Sequence, residues 1–137
     1  MGTRSSSGAS ASSEKSPLEG LRVLIVEDEA LIAMMIEEYL KESGCQIAFS
    51  ARRLEKAMAY IKSEECDAAI LDVNIAGESV APLAEVLAEK AVPFIFATGY
   101  GLQGVDQKWA HHPLLQKPFT AKELQVALLA ALARVPK

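Results

Sequence analysis

The sequence predicts an α/β protein in which helices cover both faces of a parallel β-sheet. Short apolar runs, which are typical of buried strands, alternate with longer stretches whose apolar residues recur at the helical period. Strands that alternate with helices in this way favour a doubly wound parallel sheet. With 137 residues, the chain has the length of one domain and can bury a core of its own.

Five apolar runs are predicted to be the strands of this sheet. They span residues 21–26, 46–51, 67–72, 93–98 and 113–117. Ligands of parallel α/β sheets bind beyond the carboxyl ends of the strands. The residues that end these runs are therefore the first candidates for function.

Four stretches are predicted to be helices because their apolar residues share one face. They span residues 29–43, 53–64, 79–90 and 120–134. Gly44 closes the first helix, and Thr120 with Glu123 forms a capping box at the start of the last one. A further helix is expected between the last two strands, where it would be the fourth in chain order. Residues 101–112 there show little periodicity, so this fourth helix is expected to be weak or shortened.

Composition and charge exclude several classes of function. The net charge of −4 argues against a general nucleic-acid surface, which needs a basic stripe. No apolar run approaches the ~18 residues of a membrane span. Cys45 and Cys66 fit neither a metal-site spacing nor a disulfide framework, so they are expected to be reduced thiols in a cytosolic protein.

The start of the chain differs from the rest. Residues 1–17 are dominated by Ser, Gly and Ala and lack the apolar core of a signal peptide. Such a segment cannot bury enough apolar surface to offset the entropy lost on ordering. We therefore expect residues 1–17 to be a flexible tail or a remnant of cloning, and residues 18–137 to be the folded domain.

Polar side chains follow four of the predicted strands. The first run ends in Glu27 and Asp28, the third in Asp72, the fourth in Thr98 and the fifth in Lys117. Three carboxylates at one edge repel one another and are costly to desolvate without a compensating charge. Mg²⁺ supplies such a charge. A metal beside a lysine neutralises a phosphoryl group in transfer, and an aspartate carboxylate can be the nucleophile.

A glycine motif near the fourth strand suggests a different site. Gly99, Gly101 and Gly104 fit the G-x-G-x-x-G pattern of a dinucleotide-binding turn. That pattern belongs to the first strand–helix turn and is followed by a firm helix, whereas here it follows the fourth strand. We therefore interpret these glycines as flexibility around Thr98.

The same segment carries the single tryptophan, Trp109, and two adjacent histidines, His111 and His112. No second pair of ligands lies near the histidines in sequence, which disfavours a metal site there. Trp109 is expected to anchor an otherwise loose segment by packing.

The strand ends resemble those of a known family. The motifs "VED" (26–28), "LDVN" (71–74), "AT" (97–98) and "KP" (117–118) resemble the receiver domain of bacterial two-component response regulators. The resemblance covers the chain from residue 21 to its end, and "FATGY" resembles the FATGUY subgroup. It implies a flavodoxin-like (βα)5 fold with strand order 2-1-3-4-5.

The resemblance also implies roles for the acids. Asp72 would accept a phosphoryl group from the phosphohistidine of a histidine kinase or of a phosphotransfer protein. Asp28 and Asp72 would bind Mg²⁺ together with the backbone carbonyl of Asn74, while Glu27 would act through water.

By the same resemblance, Thr98 would hydrogen-bond the phosphoryl group, and Lys117 would pair with it, positioned by a cis bond to Pro118. Most receivers carry an aromatic residue three positions before the lysine, which swings inward on phosphorylation. Leu114 stands there in this chain. Tyr100 is the candidate to replace it; otherwise the switch works differently.

The sequence also suggests how the protein would meet its partners. Leu31 and Met34 fall outside the apolar face of helix 29–43, beside the acids, and an exposed apolar pair there suits a kinase's helical bundle. "VPK" is all that follows helix 120–134, so no output domain is expected. The protein resembles a stand-alone receiver that catalyses at most its own phosphorylation and dephosphorylation.

Two other functions remain open. Phosphatases of the haloacid dehalogenase type also combine Mg²⁺ with an aspartate nucleophile, but they need a second acid two residues later, where Asn74 stands. A degenerate receiver would bind partners without being phosphorylated. The presence of Asp28, Asp72, Thr98 and Lys117 argues against that function.

Overall fold

Helices pack on both faces of a parallel sheet in the computed structural model, which describes residues 16–99, 107–109 and 112–134. Within these residues the sheet has five strands. They are β1 (Arg22–Val26), β2 (Gln46–Ala51), β3 (Ala68–Asp72), β4 (Phe94–Thr98) and β5 (Leu114–Gln116). The α-helices are α1 (Ala30–Glu42), α2 (Leu54–Ser63), α3 (Ala81–Glu89) and α4 (Ala121–Arg134). The predicted fold class is confirmed.

The strands lie in the order β2-β1-β3-β4-β5, and each neighbouring pair is parallel. This is the order 2-1-3-4-5 that the resemblance implies. Val26 of β1 is opposite Leu71 of β3, and Asp72 is opposite Ala97 of β4. The register therefore brings the carboxyl ends of the central strands to the same edge.

The predicted helix ends are confirmed to within two residues. Gly44 follows α1 with a φ of +88°, and the carboxylate of Glu19 lies 2.8 Å from the position that a Cβ would take. The capping box of α4 is formed, because Thr120 N donates to Glu123 Oε1 at 2.8 Å and Glu123 N donates to Thr120 Oγ1 at 3.1 Å.

Two apolar cores lie on opposite faces of the sheet, because successive side chains of a strand point to opposite sides. Ile25 of β1 packs in the core under α1 and α4, with Leu40 and Leu128. Leu24, its neighbour, packs in the core under α2 and α3, with Leu83. Leu31, Met34, Val126 and Leu129 are the large apolar residues of α1 and α4 that remain exposed.

Between β4 and β5, the described residues include one 3₁₀ turn, Gln107–Trp109. The prediction of a weak or shortened helix is consistent with this turn, but Tyr100, Gly101, Gly104 and His111 lie outside the described residues. A role for Tyr100 in place of Leu114 therefore stays a prediction. Leu114 itself is half-buried against the core under α2 and α3.

Trp109 packs on β4, as predicted. Its ring lies 5.3 Å from that of Phe94 and 6.5 Å from that of Phe96. The His112 ring stacks on Phe94 at 4.1 Å. Burial lowers the pKa of His112, and the positive charge of Arg134 acts in the same direction. The imidazole of His112 is therefore part of an aromatic cluster.

Cys45 and Cys66 are free and buried, and they pack in different cores, on opposite faces of the sheet. Burial raises the pKa of Cys66 to about 11, so its thiol stays protonated at neutral pH. No helix in the described part of the chain is long and apolar enough to cross a membrane.

The described chain begins at Ser16, and Leu18 is already buried in the core. Ser16 Oγ accepts a hydrogen bond from Leu18 N at 3.1 Å. The tail predicted at residues 1–17 lies mostly outside the described residues, so its flexibility stays a prediction. The same holds for the boundary at residue 18.

Candidate phosphoryl and metal site

Three acids meet at the carboxyl edge of the sheet. Glu27 and Asp28 follow β1, and Asp72 ends β3, the strand paired with it. One carboxylate oxygen from each acid lies within 4.8 Å of those of the other two. The strand-end prediction for these acids is confirmed in position, because the sequence places them at adjacent strand ends and the register aligns those ends.

A lysine closes the cluster from the other side. Lys117 follows β5, and its Nζ donates to Glu27 Oε1 at 2.6 Å and to Asp72 Oδ2 at 3.4 Å. Its backbone N donates to the carbonyl of Thr98 at 2.8 Å, which ties it to the end of β4. The peptide bond between Lys117 and Pro118 is cis, as predicted.

Burial dominates the electrostatics of the cluster. Glu27 is only 1 % exposed, and burial raises its pKa to about 7 against the opposing hydrogen bond from Lys117. Burial also raises the pKa of Asp72. For Lys117, burial alone would lower the pKa, but the hydrogen bond to Glu27 and the negative charge of Asp72 outweigh it, so the pKa is raised. Lys117 therefore stays charged, but its single positive charge does not balance the three carboxylates around it.

Each carboxylate is held in a different way. Glu27 Oε1 accepts from Lys117, and Glu27 Oε2 accepts from the backbone N of Glu29 at 3.1 Å, so both oxygens of this buried acid have partners. Asp28 Oδ2 accepts from the backbone N of Ala76 at 2.9 Å. Glu27 therefore holds the Lys117 ammonium in place, while the side chains of Asp28 and Asp72 remain partly accessible to solvent.

Thr98 and Asn74 lie at the margin of the cluster. Thr98 is one residue past Ala97, the partner of Asp72 in the sheet, and it is buried. Asn74 is exposed, and its side-chain oxygen accepts from the backbone N of Gly77 at 2.9 Å. The Asn74 side chain thus stabilises its own turn, which leaves its backbone carbonyl as the group considered for a metal.

Sequence reasoning missed three parts of this site. It did not pair Glu27 with Lys117, which are 90 residues apart. It did not foresee the short hairpin of Asn74–Ile75 with Glu78–Ser79, in which Ala76 has a φ of +52° and donates to Asp28. The glycine after Ala76 signals a turn there, but nothing in the pattern assigns its N–H to Asp28.

The third omission is the end of β2. Glu27 N donates to the carbonyl of Ala51 at 3.0 Å, which places the residues after Ala51 beside the acids. Arg52 and Arg53 follow, and both are exposed. Their signal was present in the sequence, since β2 ends at the same edge as the other strands.

The donor set fits a divalent cation. Three carboxylates face one lysine ammonium, so negative charge is in excess, and all the donors are hard oxygens of the kind that Mg²⁺ and Ca²⁺ prefer. These residues therefore form a candidate metal site.

Comparison with known proteins identifies the family. A model of the response regulator receiver domain matches residues 23–129. The chain belongs to this family. Receiver domains act in phosphorelay signalling, where they partner with histidine kinases or phosphotransfer proteins, and they are generally signalling proteins rather than enzymes.

Among solved structures, SdrG from Sphingomonas melonis Fr1 is 42 % identical to the chain; the similarity covers 85 % of this chain and 99 % of SdrG, with a TM-score of 0.76. The receiver domain of the response regulator PhyR from Erythrobacter litoralis is 26 % identical, over 89 % of this chain and 97 % of that one, with a TM-score of 0.74.

Among curated proteins, the transcriptional regulatory protein PdtaR of Mycobacterium tuberculosis is 28 % identical over 82 % of this chain and 57 % of its own length. The chain thus spans little more than half of that relative. Its similarity to SdrG, in contrast, extends over 99 % of that protein.

Proposed function

We propose that this receiver domain accepts a phosphoryl group on Asp72 from the phosphohistidine of a histidine kinase or phosphotransfer protein. The observation that carries the proposal is the set of contacts around Lys117, which brings an ammonium within 3.4 Å of Asp72 at an open edge of the sheet. Glu27 is a poorer acceptor, because it is buried and both of its oxygens have hydrogen-bond partners.

In the proposed step, a carboxylate oxygen of Asp72 attacks the phosphorus atom of the phosphohistidine. An O–P bond forms while the P–N bond breaks, and the imidazole leaves with the electron pair of that bond and is protonated by water. Lys117, whose pKa is raised, is charged throughout and pairs with the incoming phosphoryl oxygens. The Thr98 hydroxyl donates to another of these oxygens.

Asp28, Asp72 and the backbone carbonyl of Asn74 would hold Mg²⁺, with Glu27 acting through water. When bound, the metal supplies positive charge that offsets the negative charge of the phosphoryl group. The hydrogen bond from Ala76 N would fix the Asp28 carboxylate against the hairpin 74–79 while its other oxygen binds the metal.

We further propose that the kinase contacts α1 through Leu31 and Met34, which are 79 % and 56 % exposed. Two large apolar side chains exposed on one helix beside the acids offer an apolar contact to a partner. The receiver is taken to comprise residues 18–137, to act in the cytoplasm without binding nucleic acid or membrane, and to signal through protein contacts or as a step of a phosphorelay.

Incubation with acetyl phosphate and Mg²⁺, followed by intact-mass measurement, tests the proposal. The wild-type protein should gain one phosphoryl group, and Asp72→Asn should gain none. Asp67→Asn is the matched control, since Asp67 lies at the amino end of β3, and it should be labelled like the wild type. Labelling that persists in Asp72→Asn would contradict the assignment, and repeated turnover of a phosphate ester would favour a phosphatase.

The metal site has a separate readout. Mg²⁺ at ten times its Kd should raise the free energy of unfolding by about 1.4 kcal/mol, because it binds the folded state alone. Asp28→Asn should lose most of this stabilisation, while Asp67→Asn should keep it. An equal gain in all three proteins would show that Mg²⁺ binds elsewhere.

A further inference from the structure

Two adjacent arginines flank the acid cluster. Arg52 and Arg53 follow Ala51 at the carboxyl end of β2, and the carbonyl of Ala51 accepts from Glu27 N at 3.0 Å. Both arginines are exposed. Since consecutive Cα atoms are about 3.8 Å apart, their backbones start within a few ångströms of the strand end that carries Glu27 and Asp28.

The two arginines lie at the N-terminus of α2, where positive charge does not stabilise a helix. Arg53 is the N-cap of α2 and makes no side-chain capping bond. The N-terminus of a helix carries partial positive charge, so anions or Ser, Thr, Asp and Asn are favoured there and cations are unfavourable. Local folding therefore gives no reason for two arginines at this point.

Neither arginine takes part in an ion pair within the described residues. Within the described chain, the ion pairs at 4.0 Å or less join Lys108 to Glu85, and Lys117 to Glu27 and Asp72. Neither Arg52 nor Arg53 takes part in them, although the chain has a net charge of −4 and Glu55 stands in the first turn of α2. Two uncompensated cations thus remain at the rim of a site that is rich in carboxylates.

We propose that Arg52 and Arg53 steer the phosphodonor to Asp72 by attracting its negatively charged phosphoryl group. This inference rests on the proposed function. The acids that would serve phosphorylation also repel the phosphoryl dianion as it approaches, and positive charge on the rim offsets that repulsion before any contact forms. The two arginines raise the encounter rate and leave the transfer step itself to Lys117, Thr98 and Asp72.

The size of the effect follows from Coulomb's law with salt screening. For a dianion about 10 Å away in water, two unit charges together change the rate about 5- to 10-fold at 10 mM ionic strength and about 3-fold at 0.1 M. At 1 M the Debye length is about 3 Å, and the effect vanishes. A monoanionic donor feels half the energy, so its rate should change only about 2- to 3-fold at 10 mM.

The test compares second-order labelling rates, at subsaturating donor and fixed Mg²⁺, of the wild type and Arg52→Gln/Arg53→Gln. The donors are acetyl phosphate, a dianion at neutral pH, and phosphoramidate, largely a monoanion. The control is Lys41→Gln/Lys62→Gln, which removes the same charge from the last turns of α1 and α2, at the opposite edge of the sheet. Thermal unfolding checks that every variant is folded.

The arginine variant should be slower with acetyl phosphate at low salt, less so with phosphoramidate, and equal to the wild type at 1 M salt. The lysine control should change little. Wild-type rates in the arginine variant at low salt would overturn the inference, and so would a loss that is independent of salt or donor charge. An unlabelled wild-type protein would instead overturn the proposed function.

Discussion

A cation lies among oxygen acceptors at both edges of the sheet, Arg22 at the amino edge and Lys117 at the carboxyl edge. Arg22 Nη1 donates to the carbonyl of Glu65 at 2.9 Å, and its backbone N donates to Asp67 Oδ2 at 2.9 Å. Arg22 and Asp67 are exposed, whereas Lys117 bonds to the fully buried Glu27.

The difference between these edges lies in burial and charge balance more than in residue type. At the amino edge, one arginine, one aspartate and neutral carbonyl and hydroxyl groups meet in water, and the result is a clamp between β1 and β3. At the carboxyl edge, three carboxylates lie together, and the half-buried Lys117 bonds to two of them, Glu27 and Asp72. Burial raises the pKa of both Glu27 and Asp72, and the negative charge of Asp72 raises that of Glu27 further. The excess of carboxylates over cations at this edge therefore favours a bound cation.

Loss of the cation at the carboxyl edge should have the largest effect. Lys117→Ala leaves Glu27 buried without its partner, so at pH 8 we expect the free energy of unfolding to fall by about 2–4 kcal/mol. At pH 5 the loss should be smaller, because Glu27 is then protonated. Urea denaturation in EDTA measures both values. Glu85→Gln, which breaks a half-exposed ion pair, should cost at most about 0.5 kcal/mol at either pH. Equal losses for Lys117→Ala at the two pH values would contradict this account.

The second prediction concerns pH. The pKa of Glu27 is raised from 4.5 to about 7, so the folded state binds more protons than the unfolded state between these values. The stability that this group contributes is therefore present below pH 4.5 and lost as pH rises through 7. Glu27→Gln cannot titrate, and its stability should fall by about 3 kcal/mol less than that of the wild type across this window. Parallel stability curves for the two proteins would rule the prediction out.

The third prediction separates docking from chemistry at the carboxyl edge. Leu31→Asp should slow transfer from the cognate kinase about 10-fold, equivalent to about 1.4 kcal/mol of lost apolar contact, and should spare labelling by acetyl phosphate. Leu129→Asp, on α4, is the matched control. If both donors label Leu31→Asp more slowly, Leu31 supports the fold or the site rather than the kinase contact.

The smallest effect is expected at the amino edge. Asp67→Ala removes the acceptor of Arg22 N in an exposed position, so the free energy of unfolding should fall by only about 0.5–1 kcal/mol. Its labelling by acetyl phosphate should match that of the wild type. A loss of labelling would mean that the two edges are coupled through β3.

The sequence was sufficient to predict the strands, the helices and the acids at the strand ends, because these depend on periodicity and on the rule that parallel strands share one functional edge. It was not sufficient to predict which groups bond to one another there. Whether Lys117 reaches Glu27 or Asp72 depends on side-chain length and on a few tenths of an ångström between strands. The hydrogen bond from Ala76 N to Asp28 depends on a left-handed backbone conformation at Ala76, and an alanine gives no sequence signal for that conformation.

The single tryptophan of the chain gives this molecule a built-in optical label. Trp109 lies against Phe94 and Phe96 of β4, with the Lys108 ammonium 5.1 Å and the His112 ring 5.4 Å from its own ring. Since no other indole is present, excitation at the red edge of the absorption band reports on this face of the sheet alone. Emission intensity therefore reports how the turn at Gln107–Trp109 packs on β4, without any dye or substitution. One of its contacts, Phe96, is two residues before Thr98.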